Sequence, residues 1–314
     1  MTGSSRRSAA TADLSRWPAL VLAAGLATRL RPLSQVRAKA ALPVAGEALV
    51  LRILRSLQRA GITRVVLNLH HRAGTITREV GDGAALGLSV RYSWETEVLG
   101  SAGGPARALP LLEADRFLIV NGDTLANVDL PNLASRHLDS SALVTMAMVD
   151  GDPRYNGIIA DEAGRVRGFG REPGAFHFIG VQAVNASAFA GVSPDRRSET
   201  VHGMYPGMIA RQPGSVRVMR TTAEFFDIGT PRDYLDTALT IAAREERPLD
   251  RGRGCNISPE AELSDTILWD DVTVAAGASL DRCVVTDGVQ VRPGAKHVEC
   301  SLVMRDNEVV AEPF

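Results

Sequence analysis

The chain reads as an α/β protein built on a mostly parallel sheet and closed by a short β-helix. Three observations carry that reading. Short apolar runs alternate with helical periodicity from Ala19 to about Arg247, as in chained βα units. Turns containing glycine, after Ala24 and at Asn121-Gly122-Asp123, fall where such runs end. Residues 255–305 repeat without gaps at a period of 17. The expected organisation is a disordered tail at 1–16, an α/β domain at 17–248 and a β-helix of about three coils at 249–314.

The apolar run Ala19-Leu20-Val21-Leu22-Ala23-Ala24 has the length of a buried strand, and Gly25 turns the chain out of it. Residues 47–60 place Val50, Ile53, Leu54 and Leu57 at helical spacing, and Gly61 is positioned to stop that helix. Residues 64–69 read as a second strand, so the chain opens on a βαβ unit. The alternation continues with a helix at 74–80, a strand at 88–93, a helix begun by Gly103-Gly104-Pro105 and a strand at 117–120. A sheet of this kind binds ligands beyond the carboxyl ends of its strands, which aims Asp123 at the crevice; the alternative is a plain Asn-Gly-Asp turn. Further strands are expected at 142–149, 176–184 and 215–219, with a hairpin of 158–160 against 166–169. Pro231 opens a helix to about residue 247, and Asp227 stands just before it, where a turn or capping role is the alternative.

In the repeat, Ile257, Val274 and Val291 align, as do Ala261, Ala278 and Ala295, and Leu268, Val285 and Leu302. Gly277 stacks on Gly294. Apolar columns of this kind build the continuous core of a solenoid. Thr266, Cys283 and Cys300 fall in one column and read as packed small side chains, not as a metal or redox site. His297 reads as surface or packing.

Composition narrows the function. At 314 residues, with 45% hydrophobic and 23% charged residues and a net charge of −1, the chain has room for two domains and no electrostatic case for nucleic acid. No apolar run approaches a membrane span. Three cysteines, all beyond residue 250, do not make a disulfide framework. The tail at 1–16 lacks the apolar centre of a secretory signal. A cytoplasmic protein is expected.

The segment after the first strand is dense in phosphate-binding donors. A strand feeding a glycine turn presents backbone N–H groups, and Thr28, Arg29, Arg31 and Lys39 add hydroxyl and cationic donors within a few residues. A solvated basic loop is the competing reading. The wider string resembles the signature of the sugar-1-phosphate nucleotidylyltransferases, G-x-G-T-R-L-x-P-L-T followed by P-K-P and L-x-P-V, at Gly25, Thr28, Arg29, Leu30, Pro32, Leu33, Lys39, Leu42, Pro43 and Val44. Ala27 stands for the second glycine, Ser34 for threonine, and Ala38 and Ala40 for the prolines. Asn121-Gly122-Asp123 and Asp227-Ile228-Gly229-Thr230-Pro231 resemble the same family in the same order.

The resemblance covers about residues 19–247 and implies a Rossmann-like nucleotidyltransferase domain, followed here by a left-handed β-helix. It implies transfer of a nucleotidyl group from a nucleoside triphosphate to a sugar 1-phosphate, with release of pyrophosphate and with Mg²⁺ as cofactor. By the same likeness Arg29, Lys39 and Asp123 are catalytic, Asp123 and Asp227 hold the metal, and Ala24, Gly25, Thr28, Arg29, Gly100 and Ala102 line the nucleotide. Lys39, Gly157, Arg171, Glu172 and Gly180 serve the sugar phosphate. Here Arg171-Glu172-Pro173 replaces an E-K-P string, and Tyr155-Asn156-Gly157-Ile158 resembles Y-G-V with an inserted Asn. Leu99-Gly100-Ser101-Ala102-Gly103 resembles the L-G-T-A-G string of guanylyltransferases. It points first to guanine with mannose or a related sugar, then to thymine or uracil with glucose. Asn68 and Glu97 are further candidates to line the pocket, with a surface role as the alternative for each. His70 and His71, being adjacent, do not suggest a zinc pair. A catalytically weak regulatory paralogue that binds nucleotide sugar is the alternative. The terminal β-helix is compatible with a homo-oligomer.

Overall fold

The computed structural model describes residues 12–151, 157–249 and 251–314. Two compact units result. The first holds residues up to Leu22 together with Leu54–Leu69 and Asp82–Phe225; the second holds Ala23–Ile53, His70–Gly81 and Phe226–Phe314.

The first unit is organised by a mixed sheet. Its strands are β1 (Ala19–Leu22), β2 (Arg64–Leu69), β3 (Ser89–Trp94), β4 (Arg116–Asn121), β5 (Val144–Asp150), β6 (Gly157–Ala160), β7 (Val166–Gly170), β8 (Phe176–Asn185) and β9 (Val216–Arg220). They lie in the order β7-β6-β8-β4-β1-β2-β3, with β5 also on β8 and β9 on β5. The half that carries the first turn is parallel throughout: β1 pairs with β2 and β4, and β2 with β3. Leu22 is level with Asn68 on one side and Asn121 on the other, so three strands end together. β8 enters antiparallel to β4 and β5, and the β6–β7 hairpin is antiparallel as expected. β1, β2 and β4 are apolar and nearly fully buried, as strands covered on both faces must be. Leu20, Val66, Leu112, Phe117, Ile119 and Met146 belong to the core.

Helix α3 (Gly100–Leu112) starts three residues before the expected glycine pair. Two helices lack a clear periodic signal in the sequence. One, α4 (Leu130–Leu138), is capped by Asp129, whose carboxylate accepts the Asn132 N–H at 3.0 Å. The other, α5 (Tyr205–Arg211), continues a π-turn over Thr200–Met204. Within the stretch read as a tail, Leu14–Arg16 form a short 3₁₀ turn capped by Asp13, with Leu14 buried. The rest of that stretch, residues 1–11, lies outside the described residues, as do Tyr155 and Asn156.

The second unit begins with the signature loop, a series of 3₁₀ turns at Thr28–Leu30, Leu33–Gln35 and Lys39–Ala41. It includes the start of α1 (Leu49–Arg59), then α2 (Ala73–Val80) and α6 (Pro231–Arg244). Thr230 and Asp233 close a capping box on α6, the Thr230 N–H donating to Asp233 Oδ2 at 2.8 Å. Beyond residue 250 short strands pair in parallel at the 17-residue interval. Ile257 is level with Val274, Val274 with Val291, Leu268 with Val285, and Val285 with Leu302. Val274, Val285, Val291 and Leu302 are buried in one apolar cluster against which Ile257 packs. Cys283 and Cys300 are buried in that cluster, and the Cys283 N–H donates to the Thr266 hydroxyl at 3.2 Å. The last strand, Glu308–Pro313, returns antiparallel on Cys300–Arg305 instead of opening another coil. Among the described residues no helix is long and apolar enough to cross a membrane.

Candidate active site

In the second unit the alternation of apolar and cationic residues turns the signature loop's donors outward. Leu30 and Leu33 are fully buried, while Thr28, Arg29 and Arg31 are exposed. Ala24 is buried, and a side chain built on Gly25 would meet nothing within 4 Å, so the backbone there is open to a ligand. Ala27 sits at φ 46° and ψ 50°, a left-handed conformation that a glycine would adopt without strain. Its carbonyl accepts the Leu30 N–H at 3.0 Å and starts the turn that presents Arg29.

Arg29 lies against Gly229: a Cβ at that position would stand 3.4 Å from Arg29 Nη1 and 3.1 Å from Asp233 Oδ2. Lys39 Nζ is 3.9 Å from Asp227 Oδ1, and the lysine side chain is 11% exposed. Fixed bonds hold the loop between them. His71 Nε2 donates to the Ser34 carbonyl at 2.7 Å, and the Ala38 N–H donates to Thr75 Oγ1 at 3.1 Å. One sequence signal strengthens Lys39. It is one of two lysines in a chain with 35 basic residues, the other being Lys296. An arginine-rich chain that keeps lysine here keeps a compact point charge in place of a planar fork.

In the first unit the Gly122 N–H donates to the Leu22 carbonyl at 2.9 Å, which places Asp123 at the shared end of β1 and β4. Asp123 Oδ1 accepts the Thr124 hydroxyl at 3.2 Å. Gly180, at φ 81°, faces the same turn. A Cβ there would approach Asn121 Cβ to 3.0 Å, so both conformation and space require glycine. Gly157 is level with Gly170 across the β6–β7 hairpin, and a Cβ would come within 2.3 Å of Ala175 Cβ. Arg171 and Glu172 follow Gly170 directly and are exposed.

The loop before α3 is clamped from two sides. Glu95, 6% exposed, accepts the Asn68 side-chain N–H at 2.7 Å and the Leu99 N–H at 2.9 Å. From the other side, Glu199 accepts the Ser101 N–H at 3.1 Å and its hydroxyl at 2.8 Å. The Ser198 carbonyl accepts the N–H groups of Ala102 and Gly103. Gly100, at φ 78°, leaves room for that carbonyl, since a Cβ would stand 2.6 Å away. Burial would push the Glu199 carboxyl up, but Ser101 and Arg197 outweigh it and hold it below the usual range. Ala102 is fully buried with its amide bonded, so its place is structural support beneath Gly100. Glu97 is exposed. Glu95 and Glu199 were not singled out by sequence. Glu199 lies 98 residues from the serine it serves, and no local pattern marks such a partner.

Among the described residues no group of three or more His, Cys, Asp or Glu side chains is placed to hold a metal. Asp123 in the first unit and Asp227 in the second each offer a carboxylate, the kind of hard donor that Mg²⁺ takes beside water and phosphate oxygens.

A parallel half-sheet with glycine turns at its carboxyl ends, and an arginine- and lysine-bearing loop, define an α/β protein that handles phosphorylated ligands. The chain belongs to the nucleotidyl transferase family, whose model matches residues 18–244. A mannose-1-phosphate guanylyltransferase of Mycobacterium tuberculosis is 30% identical over 292 residues, covering 88% of this chain and 81% of that protein. An N-acetylmuramate alpha-1-phosphate uridylyltransferase of Neisseria meningitidis is 41% identical over 131 residues, 38% of this chain and 57% of its own length. Among solved structures, HddC from Yersinia pseudotuberculosis complexed with GMP-PN superposes with a TM-score of 0.63 at 25% identity, covering 72% of this chain and 99% of that one.

Proposed function

We propose that this chain is a guanylyltransferase acting on mannose 1-phosphate or a close relative of that sugar. Its reaction class is that of a sugar-1-phosphate nucleotidyltransferase: a nucleoside triphosphate and a sugar 1-phosphate give a nucleotide sugar and pyrophosphate. The observation that carries the chemistry is the pairing of Lys39 with Asp227 on the unit that also turns Arg29 outward. The guanine and mannose reading is supported by the Mycobacterium tuberculosis relative, whose likeness runs through most of both chains.

In the reaction a sugar-phosphate oxygen attacks the α-phosphorus in line, a new P–O bond forms, and the bond to the bridging oxygen of pyrophosphate breaks. Two polyanions must be brought together, so positioned cations carry most of the catalysis. Arg29 holds the β- and γ-phosphates and stabilises the charge that develops on the leaving pyrophosphate. Lys39 spans the α-phosphate and the incoming sugar phosphate, its ammonium kept in place by Asp227. The amides about Ala24 and Gly25 and the Thr28 hydroxyl receive further phosphate oxygens. Gly100, supported by Ala102, borders the base. Gly157 and Gly180, packed against Ala175 and Asn121, lie on the sugar side, and Arg171 takes the role of the missing lysine, with Glu172 beside it.

Asp123 and Asp227 would hold Mg²⁺, which when bound neutralises phosphate charge. We read the C-terminal stack as a left-handed β-helix and the protein as cytoplasmic.

Release of pyrophosphate, measured against a panel of triphosphates and sugar 1-phosphates, tests the reading. GTP with mannose 1-phosphate should exceed dTTP or UTP with glucose 1-phosphate. No turnover with any pair would instead favour the nucleotide-sugar-binding paralogue. Asp123→Asn and Asp227→Asn should each remove most activity and raise the magnesium needed for the remainder, with circular dichroism unchanged. Full magnesium-dependent activity in either variant would sink the metal assignment.

A further inference from the structure

Arg37 stands two residues before Lys39 and faces the C-terminal repeats of its own unit. Its guanidinium, 12% exposed, donates from Nε to Asp287 Oδ2 at 2.9 Å and from Nη2 to Asp270 Oδ2 at 2.8 Å and to Asp287 Oδ1. Those two acids are 17 residues apart, the same position in successive repeats. Each is held by backbone as well: Asp270 Oδ1 accepts the Arg253 N–H at 2.8 Å, and Asp287 Oδ1 accepts the Asp270 N–H at 3.0 Å. The guanidinium carbon lies 5.1 Å from the centre of the Trp269 ring. The indole N–H in turn donates to the Tyr234 hydroxyl at 3.2 Å, which donates to the Pro43 carbonyl at 2.6 Å at the far end of the same loop.

This is not an ordinary surface ion pair, whose worth is small. The fork is largely buried, its charge is met by two carboxylates, and the repeat that supplies them is itself a packed stack. Between Arg37 and Lys39 the chain has no slack. Ala38, Ala40 and Ala41 are buried, the Ala38 amide is bonded to Thr75, and Lys39 opens the next 3₁₀ turn.

We propose that Arg37 is a positioning residue for the transferase site: clamped by the Asp270 and Asp287 column of the terminal repeats, it sets where Lys39 presents its ammonium to the sugar phosphate. The repeats are then a working part of the phosphate loop. The inference rests on the function proposed above for Lys39, and its test separates the two.

The variants are Asp287→Asn, Arg37→Met, their combination, and Arg37→Lys, which keeps charge but not the fork. Besides the melting temperature, two measurements are made on the full chain. One is the kinetics of pyrophosphate release. The other is the rate at which trinitrobenzenesulfonate labels Lys39, read by peptide mass spectrometry against Lys296 as internal reference. Misplacing a reacting group by about an ångström costs up to roughly hundredfold, so Asp287→Asn and Arg37→Met should each lower kcat/KM for the sugar 1-phosphate by roughly tenfold or more. Each should also shift the Lys39-to-Lys296 labelling ratio severalfold. The combined variant should be no worse than the poorer single one. Arg37→Lys should recover the melting temperature but not the kinetics. A lowered melting temperature with unchanged labelling ratio and unchanged kcat/KM would overturn the proposal, and so would additive losses in the combined variant. If the wild-type chain released no pyrophosphate, the function reading would fall, and the labelling ratio alone would still decide whether the clamp sets the place of Lys39.

Discussion

Ala27 and Lys39 show how much a single position in the phosphate loop is asked to do. At φ 46° an alanine bears the left-handed penalty of roughly 1–2 kcal/mol, partly offset because it has less freedom than glycine to lose on folding. Ala27→Gly should therefore raise stability by up to about 1 kcal/mol in denaturant unfolding. A loss instead would mean that the methyl group is packed against something worth more than the strain. Lys39 makes the opposite demand, for one side chain and no other. Lys39→Arg preserves charge but replaces a compact ammonium 3.9 Å from Asp227 with a wider planar group. Turnover should drop on the order of 10²-fold, as when a group aimed at developing charge is lost, with the fold intact by circular dichroism. Near wild-type turnover would remove Lys39 from the chemistry.

The first turn of α3 is held more tightly than its glycines suggest. Glu95 and Asn68 approach it from the ends of the strands, and Glu199 and Ser198 from a segment about a hundred residues on. Gly104 is the contact point on the strand side, where a Cβ would stand 2.7 Å from Glu95 Oε1 and 2.8 Å from Asn68 Nδ2. Those two groups are buried and bonded to each other, so neither yields cheaply. Gly104→Ala should cost about 1–3 kcal/mol, the usual range for overpacking, and weaken binding of the nucleoside triphosphate. An unchanged unfolding midpoint would show that the Glu95 clamp shifts freely. Gly103 is confined from the other side by the Arg196 carbonyl at 2.7 Å, so the glycine pair is a packing requirement as well as a helix start.

At the scale of the folded molecule, one buried histidine makes stability depend on pH. His137 joins α4 to the sheet: Nε2 donates to Asn185 Oδ1 at 3.1 Å, and Nδ1 accepts from the Thr145 hydroxyl at 2.9 Å. Burial lowers its pKa below the ordinary value, outweighing the bond to Asn185 that acts the other way. Between the lowered folded value and about 6.5 the unfolded chain binds more protons. The contribution of the neutral ring is thus complete above about pH 6.5 and is lost as pH falls through that window, at no more than about 1.4 kcal/mol per pH unit. His137→Gln should flatten the fall in unfolding free energy as pH drops below about 6.5. An unaltered slope would assign it to other groups.

Much was legible from local pattern alone. The strand at β2, the α/β alternation and the 17-residue register with Ile257, Val274 and Val291 in one column all follow from side-chain period and turn chemistry. These features depend on neighbours a few residues apart, or on a repeat that states its own register, so the chain determined them unaided. Tertiary structure decided the rest. The antiparallel insertion of β8, the left-handed setting of Ala27, the Glu199 clamp and the Arg37 fork on Asp270 and Asp287 join residues that no period connects. α4 and α5 were missed because short helices with Pro, Asn, Ser and Gly in them carry little periodic signal, and packing on the sheet overrides their propensity. Local pattern set which residues fall in strands, helices and turns, whereas burial and long-range bonding set how firmly each is held, because a buried polar group must find its partner wherever the fold brings one.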